Sequence, residues 1–262
     1  MSLPQTQPPL LREDQLRRHL PLTRPFVWLA AGVRDLTTTP LPSVLYGTFV
    51  FIVSVGIISG LVWAGHDYVL LPALSAFVVA GPVLAIGLYE KSRRLRTGER
   101  VNLSAMVFVV AKSGGQVLYI GALLTLLAMV WVRASIIIYA LFFGLQPFPG
   151  IEQVVTTLLF TSTGLTMLLV GTLIGGLFAA FSFAISFLAV PMLLDKEVDA
   201  FTAMGRSMAA VWANIGVTIV WGAIVVALSI FAMATALLGI IIVFPLLGHA
   251  TWHAYEDFKE VL

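Results

Sequence analysis

Apolar residues fall in long blocks along this chain rather than at amphipathic spacing. Uninterrupted stretches cover 43–64 and 69–89, parted only by the polar GHDY of 65–68. Further blocks cover 116–132 and 166–190, and a last one extends from Trp212 to about Gly248. About 20 apolar residues suffice for a helix to cross a ~30 Å hydrocarbon core. The last block is too long for one crossing, since at about 1.5 Å per residue it would reach on the order of 55 Å. It divides near MATALLG at 233–239, giving spans 212–232 and 237–254. None of the blocks alternates with the period of barrel strands, and backbone groups in lipid must be satisfied within a segment, so the pattern predicts helices. The expectation is an all-α, polytopic bundle of six spans within 25–258. Residues 1–24, Pro-rich and charged with no apolar core, are expected to form a flexible cytosolic tail, and 259–262 a short second one.

Between the blocks a second pattern recurs. Moderately amphipathic segments, RPFVWLAAGVRDLTTTP, ERVNLSAMVFVVAKSGG and DAFTAMGRSMAAVWAN, each precede an outgoing span. Each returning span ends near a proline, Pro82, Pro191 or Pro245. The chain therefore reads as three copies of an interfacial helix followed by a hairpin, with the prolines kinking the returning helices. Residues 134–164 are too apolar for a free loop and are broken by QPFPG. They read either as interfacial helices on the outer surface or, in their first part, as an extension of the third span.

Composition agrees with lipid as the main solvent: 59% of the 262 residues are hydrophobic and only 11% charged. The absence of cysteine excludes disulfides, thiolate metal sites and cysteine nucleophiles. The distribution of charge says more than its sum. Arg12, Arg17, Arg18, Arg24 and Arg34 precede the first span; Lys91 to Lys112 separate the second and third; Lys196, Arg206 and Lys259 follow the fourth and sixth. Arg133 alone falls on the other side, so the positive-inside rule puts both termini in the cytoplasm.

Candidate chemistry is sparse. His249 and His253, four residues apart, can share a helix face and supply two metal ligands, with Glu90 and Asp195 at the other exits as possible third and fourth. The plainer reading places them in an interfacial belt with Trp252 and Tyr255. Arg93, Arg94, Arg96 and Arg100 form a basic loop suited to lipid headgroups, although topology alone would also require such a loop. Gly171, Gly175 and Ala179 lie on one stripe where helix backbones can approach closely, and Gly56 and Gly60 read in the same way. The span cores carry no Asp, Glu, Lys or Arg, which argues against a proton-coupled pump or ion channel. The chain has no phosphate-binding loop, zinc-protease helix or nucleophile elbow, so an enzyme is not expected.

Four stretches carry a family resemblance: GVRDL…PLPSVLYG at 32–47, GPVLAIGLYEKSRRLRTGE at 81–99, PMLLDKEVDAFTAM at 191–204, and PLLGHATWHAYEDF at 245–258. With these the chain resembles the bacterial integral-membrane family catalogued as domain of unknown function 2189. The resemblance implies an inner-membrane protein, and some members are described as candidate components of cytochrome c oxidase. The expected function is a non-enzymatic scaffold or accessory subunit of a membrane complex, respiratory by family association. The alternatives are a carrier or sensor of a small amphiphile in a bundle pocket, and metal or haem binding at the exit of the last helix. Partners are then membrane lipids and another membrane protein, with no nucleic acid and no assigned cofactor.

Overall fold

A computed structural model describes residues 16–144 and 150–262. Among them the regular structure is entirely helical. An amphipathic helix α1 (Arg24–Thr37) leads through Thr39 into α2 (Pro40–Trp63), and a 3-10 turn returns the chain as α3 (Leu70–Leu84) and α4 (Ile86–Thr97). A short α5 (Leu103–Val107) precedes α6 (Gly114–Phe143), and α7 (Ile151–Leu159) leads into the returning α8 (Ser162–Ser186) and α9 (Ala189–Asp195). The order closes with α10 (Ala200–Ala213), α11 (Ile215–Ala234) and α12 (Ile240–Phe258). Asn102, Thr161 and Asp199 cap α5, α8 and α10 with side-chain oxygens, which sets where each helix begins. A shorter helix, a long helix and a returning helix thus follow one another three times, with α7 inserted in the second copy.

Among the described residues, four helices are long and apolar enough to cross a membrane: Pro40–Trp63, Gly114–Phe143, Ser162–Asp195 and Ile215–Ala234. The expected spans 69–89 and 237–254 do not reach that length and hydropathy. The first is divided at Ala85, three residues after Pro82, into α3 and α4. The second gives up its last turns, from His249 onward, to polar contacts. The prolines act differently from one another. In the second returning helix the break at Phe187–Leu188 falls at the carbonyl that Pro191 leaves unbonded, whereas α12 continues uninterrupted through Pro245. Helix α6 runs on to Phe143, so the first part of 134–164 extends the third span; α7 is separate, and 145–149 lie outside the described residues.

Burial concentrates at one end of the bundle. Trp28, Leu88, Tyr89, Leu188 to Leu194, Trp252, Tyr255 and Phe258 are all nearly inaccessible, whereas α2 and α6 bury few of their residues along their length. Water drives apolar burial and lipid does not, so tight packing is needed only where helix ends leave the hydrocarbon. The Lys and Arg residues of α4 and α10, with Lys196 just after α9, gather at this end, referred to below as the basic end. Residues 16–24 are packed there rather than forming a free tail; 1–15 lie outside the described residues. Leu16 is buried, the Arg18 amide donates to Asn214 Oδ1 at 2.9 Å, and Arg18 Nε donates to the Asp257 carbonyl at 2.8 Å. Residues 259–262 are held as well: Lys196 Nζ donates to the Lys259 carbonyl, Arg206 to that of Leu262, and the Leu262 side chain is buried. In both segments, cations find the electron-rich C-terminal end of α12.

Candidate functional site

The last three turns of α12 form the hub of the basic end. Small residues let neighbouring backbones come close. A Cβ on Gly32 of α1 would stand 2.9 Å from Ala250, and one on Gly248 would meet the Leu88 side chain at 2.6 Å. Helices α1, α2 and α4 thereby enclose the side chain of His249 completely.

His249 is one member of a buried polar chain. Its Nε2 lies 2.9 Å from Ser43 Oγ, and its Nδ1 lies 2.9 Å from Ser92 Oγ and 3.2 Å from the Leu88 carbonyl. Lys91 Nζ donates to Ser43 Oγ and to the Thr39 carbonyl, each at 2.8 Å. Ser92 also hydrogen-bonds to Asp35, whose Oδ2 lies 2.8 Å from His253 Nε2. An ammonium can only donate and a carboxylate can only accept, so the donations run in one direction: Lys91 to Ser43, to His249, to Ser92, to Asp35. This order places the imidazole hydrogen on Nδ1. Ser43, Lys91, Ser92 and His249 are at most 1% exposed. Burial lowers the Lys91 ammonium to about 8, with Asp35 opposing the shift. Burial alone would raise the Asp35 carboxyl, but hydrogen bonds from His253 and Ser92 hold it below its ordinary value. Thr39 has a left-handed φ of 52°, strained for a β-branched residue, and Lys91 ties down the carbonyl of that residue between α1 and α2.

The sequence-predicted partners of the histidines are engaged elsewhere. Glu90 is buried and accepts from Arg93 at 2.8 and 2.9 Å and from Arg94 at 2.5 Å. Asp195 accepts from the Tyr255 hydroxyl at 2.9 Å and pairs with Lys259 at 2.6 Å. Asp35, which the sequence reading did not single out, is the carboxylate at the histidines. Among the described residues no three His, Cys, Asp or Glu side chains are grouped to hold a metal ion. His249 and His253 are therefore not brought together with Glu90 and Asp195 as ligands. Both ring nitrogens of His249 already face hydrogen-bond partners.

The basic loop is also turned inward. Arg93 and Arg94 grip Glu90, and Arg96 pairs with Glu256 at 2.7 Å; Arg100 is exposed. Arg24 makes a bidentate pair with Asp257 at 2.6 and 2.8 Å, and Trp28 Nε1 donates to the same carboxylate. These donors outweigh burial and keep the Asp257 carboxyl below its usual range. Trp252 Nε1 is the one buried side-chain polar atom without a partner among the described residues.

The small-residue stripe divides in its role. Gly175 makes room for the Trp131 ring of α6, an intramolecular contact, and Gly171 has open space before it. Gly56 and Gly60 also face open space, so they are not close-packing positions.

Away from the basic end the bundle is incompletely filled. A cavity of about 120 Å³ lies among α3, α8, α11 and α12, lined in part by Pro82, Tyr89, Ala179, Trp221 and Thr251. A second, of about 330 Å³, extends toward the far turn of the last hairpin, past Leu84, Ile57, Met233 and Leu237. Phe77, Ser229, Phe244 and Leu247 line both. A third, of about 620 Å³, lies between α6 and α8 against Trp131, Tyr139, Gly171 and Gly175. No charged side chain lines any of the three among the described residues.

Residues 70–195 match the family described as "Predicted integral membrane protein (DUF2189)", the family that the four sequence stretches resemble. No curated protein and no solved structure matches the chain. Three of the four stretches supply the polar chain: Asp35 and Ser43 come from the first, Lys91 and Ser92 from the second, His249 and His253 from the last.

Proposed function

We propose, from the match to a family of predicted integral membrane proteins and from the cavities just described, that this chain is a six-span protein that holds the apolar part of a membrane amphiphile between its helices. It carries out no reaction of its own. The observation that carries this reading is the set of charge-free interhelical cavities. The two that share Phe77, Ser229, Phe244 and Leu247 have volumes of about 120 and 330 Å³, and together they fall within the about 300–1,000 Å³ of pockets that enclose small molecules. The basic end faces the cytoplasm of a bacterial inner membrane with both termini there, a placement supported by Lys and Arg gathered at that end and by Arg133 far along α6. Helices α3 and α12 cross as the short returning legs of the first and third hairpins. The polar chain of Lys91, His249 and Asp35 closes the cytoplasmic side.

A second reading, an accessory subunit of a membrane complex, is favoured by one ridge. Leu165, Leu169, Leu173, Leu177 and Phe181 recur every fourth residue on α8 and all remain exposed, as a helix-docking face would. Purification in a mild detergent followed by mass spectrometry of bound lipids and co-purifying proteins separates the two. About one retained lipid per chain and no stoichiometric partner supports the amphiphile reading. A stoichiometric partner with no retained lipid replaces it with the accessory subunit.

A further inference from the structure

The cavity nearest the basic end has five hydroxyl-bearing side chains around it. Tyr89, Ser182, Ser186, Ser229 and Thr251 all line it. Ser182 and Ser186 donate to the carbonyls of Phe178 and Ser182 and keep acceptor capacity. Tyr89 is 1% exposed, and Ser229 and Thr251 are half-buried. Hydroxyl groups that line a cavity can both donate to and accept from a polar guest. The guest must nevertheless be uncharged. Among the described residues no ionic side chain lines the cavity to balance a charge, and Lys91 and Asp35 are committed to the buried polar chain.

The second cavity continues from this one away from the basic end and is almost wholly apolar. Its few hydroxyl groups include Ser54 and Thr125, which donate to carbonyls of their own helices. The rings of Phe77 and Phe244, with centroids 6.0 Å apart, line both spaces. A small polar compartment joined at these rings to a longer apolar one has the form of a head site and a tail site.

Resting on the amphiphile reading above, we infer that the ligand is a neutral single-chain lipid. Its hydroxyl-bearing head contacts Tyr89, Ser229 and Thr251, and its tail passes Phe77 and Phe244 toward Leu237. Fatty-acid anions and phospholipid headgroups are excluded from the head site by charge. Gly81 lines the head site, and a Cβ there would meet nothing within 4 Å, so Gly81→Leu fills the space without displacing backbone.

Trp221 lines the same cavity and is fully buried, which makes fluorescence quenching the readout. The purified full chain is titrated in mild detergent with dibrominated oleyl alcohol and, separately, with dibrominated oleyl sulfate. The inference expects saturable quenching by the alcohol, quenching by the sulfate about tenfold weaker or more, and alcohol affinity reduced about tenfold in Tyr89→Phe. Gly81→Leu abolishes the saturable phase. Tyr89→Phe is isosteric, so it keeps the test open if Gly81→Leu fails to fold. Equal quenching by alcohol and sulfate, or an unaffected Tyr89→Phe variant, overturns the assigned ligand class and leaves the amphiphile reading standing. No saturable quenching by either probe, together with no lipid in the mass spectrum, overturns both.

Discussion

Gly47 lies against the main-chain carbonyl of Ile241, the one that Pro245 leaves without a hydrogen bond inside α12. The proline ring is also close, with its Cγ 2.9 Å from where a Cβ on Gly47 would stand. A helix with a missing hydrogen bond is thus covered by a residue with no side chain. Gly47→Ala would press a methyl group into that backbone and should cost about 1–3 kcal/mol, as overpacking does. Gly56→Ala, on the same helix but facing open space, should leave the thermal midpoint in detergent unchanged.

The two histidines should respond unequally to substitution. His249→Ala strands the buried hydroxyls of Ser43 and Ser92 and interrupts the chain from Lys91, a loss of about 2–4 kcal/mol. His253 is partly exposed and donates to Asp35 alone, so His253→Ala should cost about 1 kcal/mol. Chelators should leave the melting curve unchanged. A shared metal would instead give two equal losses and a midpoint that falls on chelation.

The pH dependence has two arms of opposite origin. Lys91 titrates at about 8 in the fold against an ordinary 10.5, so between those values the unfolded chain binds more protons and stability rises with pH. Lys91→Met should flatten that rise. Asp35 is held below its ordinary 3.8, so its contribution is fully present above that value and is lost as pH falls through the lowered one. Asp35→Asn should weaken the acid-side loss. Thermal midpoints of both variants across pH check the signs.

A chain without cysteine allows clean topology labelling. Single cysteines at Ala64 and Leu238, both exposed at the far turns, should react with an impermeant maleimide from one face of sealed vesicles. Cysteines at Arg100 and Glu260 should react only from the other. Labelling of Leu238→Cys from the same face as Glu260→Cys would mean that α12 does not cross.

The long helices, the hairpin turns and the split near 233–239 were legible in the sequence because lipid imposes length and hydropathy on each segment separately. The polar chain was not, because its members are separated by 48 to 218 positions and periodicity carries no information about such pairing. Lys91 counted as one more cation of a basic loop, yet it is fully buried. One signal was available locally: Glu90 with Arg93 and Arg94 has the i,i+3 and i,i+4 spacing of helical ion pairs, which argues against free headgroup-binding arginines. Asp35 and Ser43 stood within the resemblance-bearing stretches without a pattern to mark them. The cavities had no sequence signature beyond small residues such as Gly81, Gly171 and Ala179, which read equally well as close-packing positions.

The amphiphile reading is tested most directly by native mass spectrometry of the wild-type chain beside Gly81→Leu, both released from the same mild detergent. The account predicts about one retained lipid mass on the wild type and its loss from the variant, with the two thermal midpoints within error. A wild-type chain free of lipid, or equal retention by a correctly folded Gly81→Leu, would contradict it.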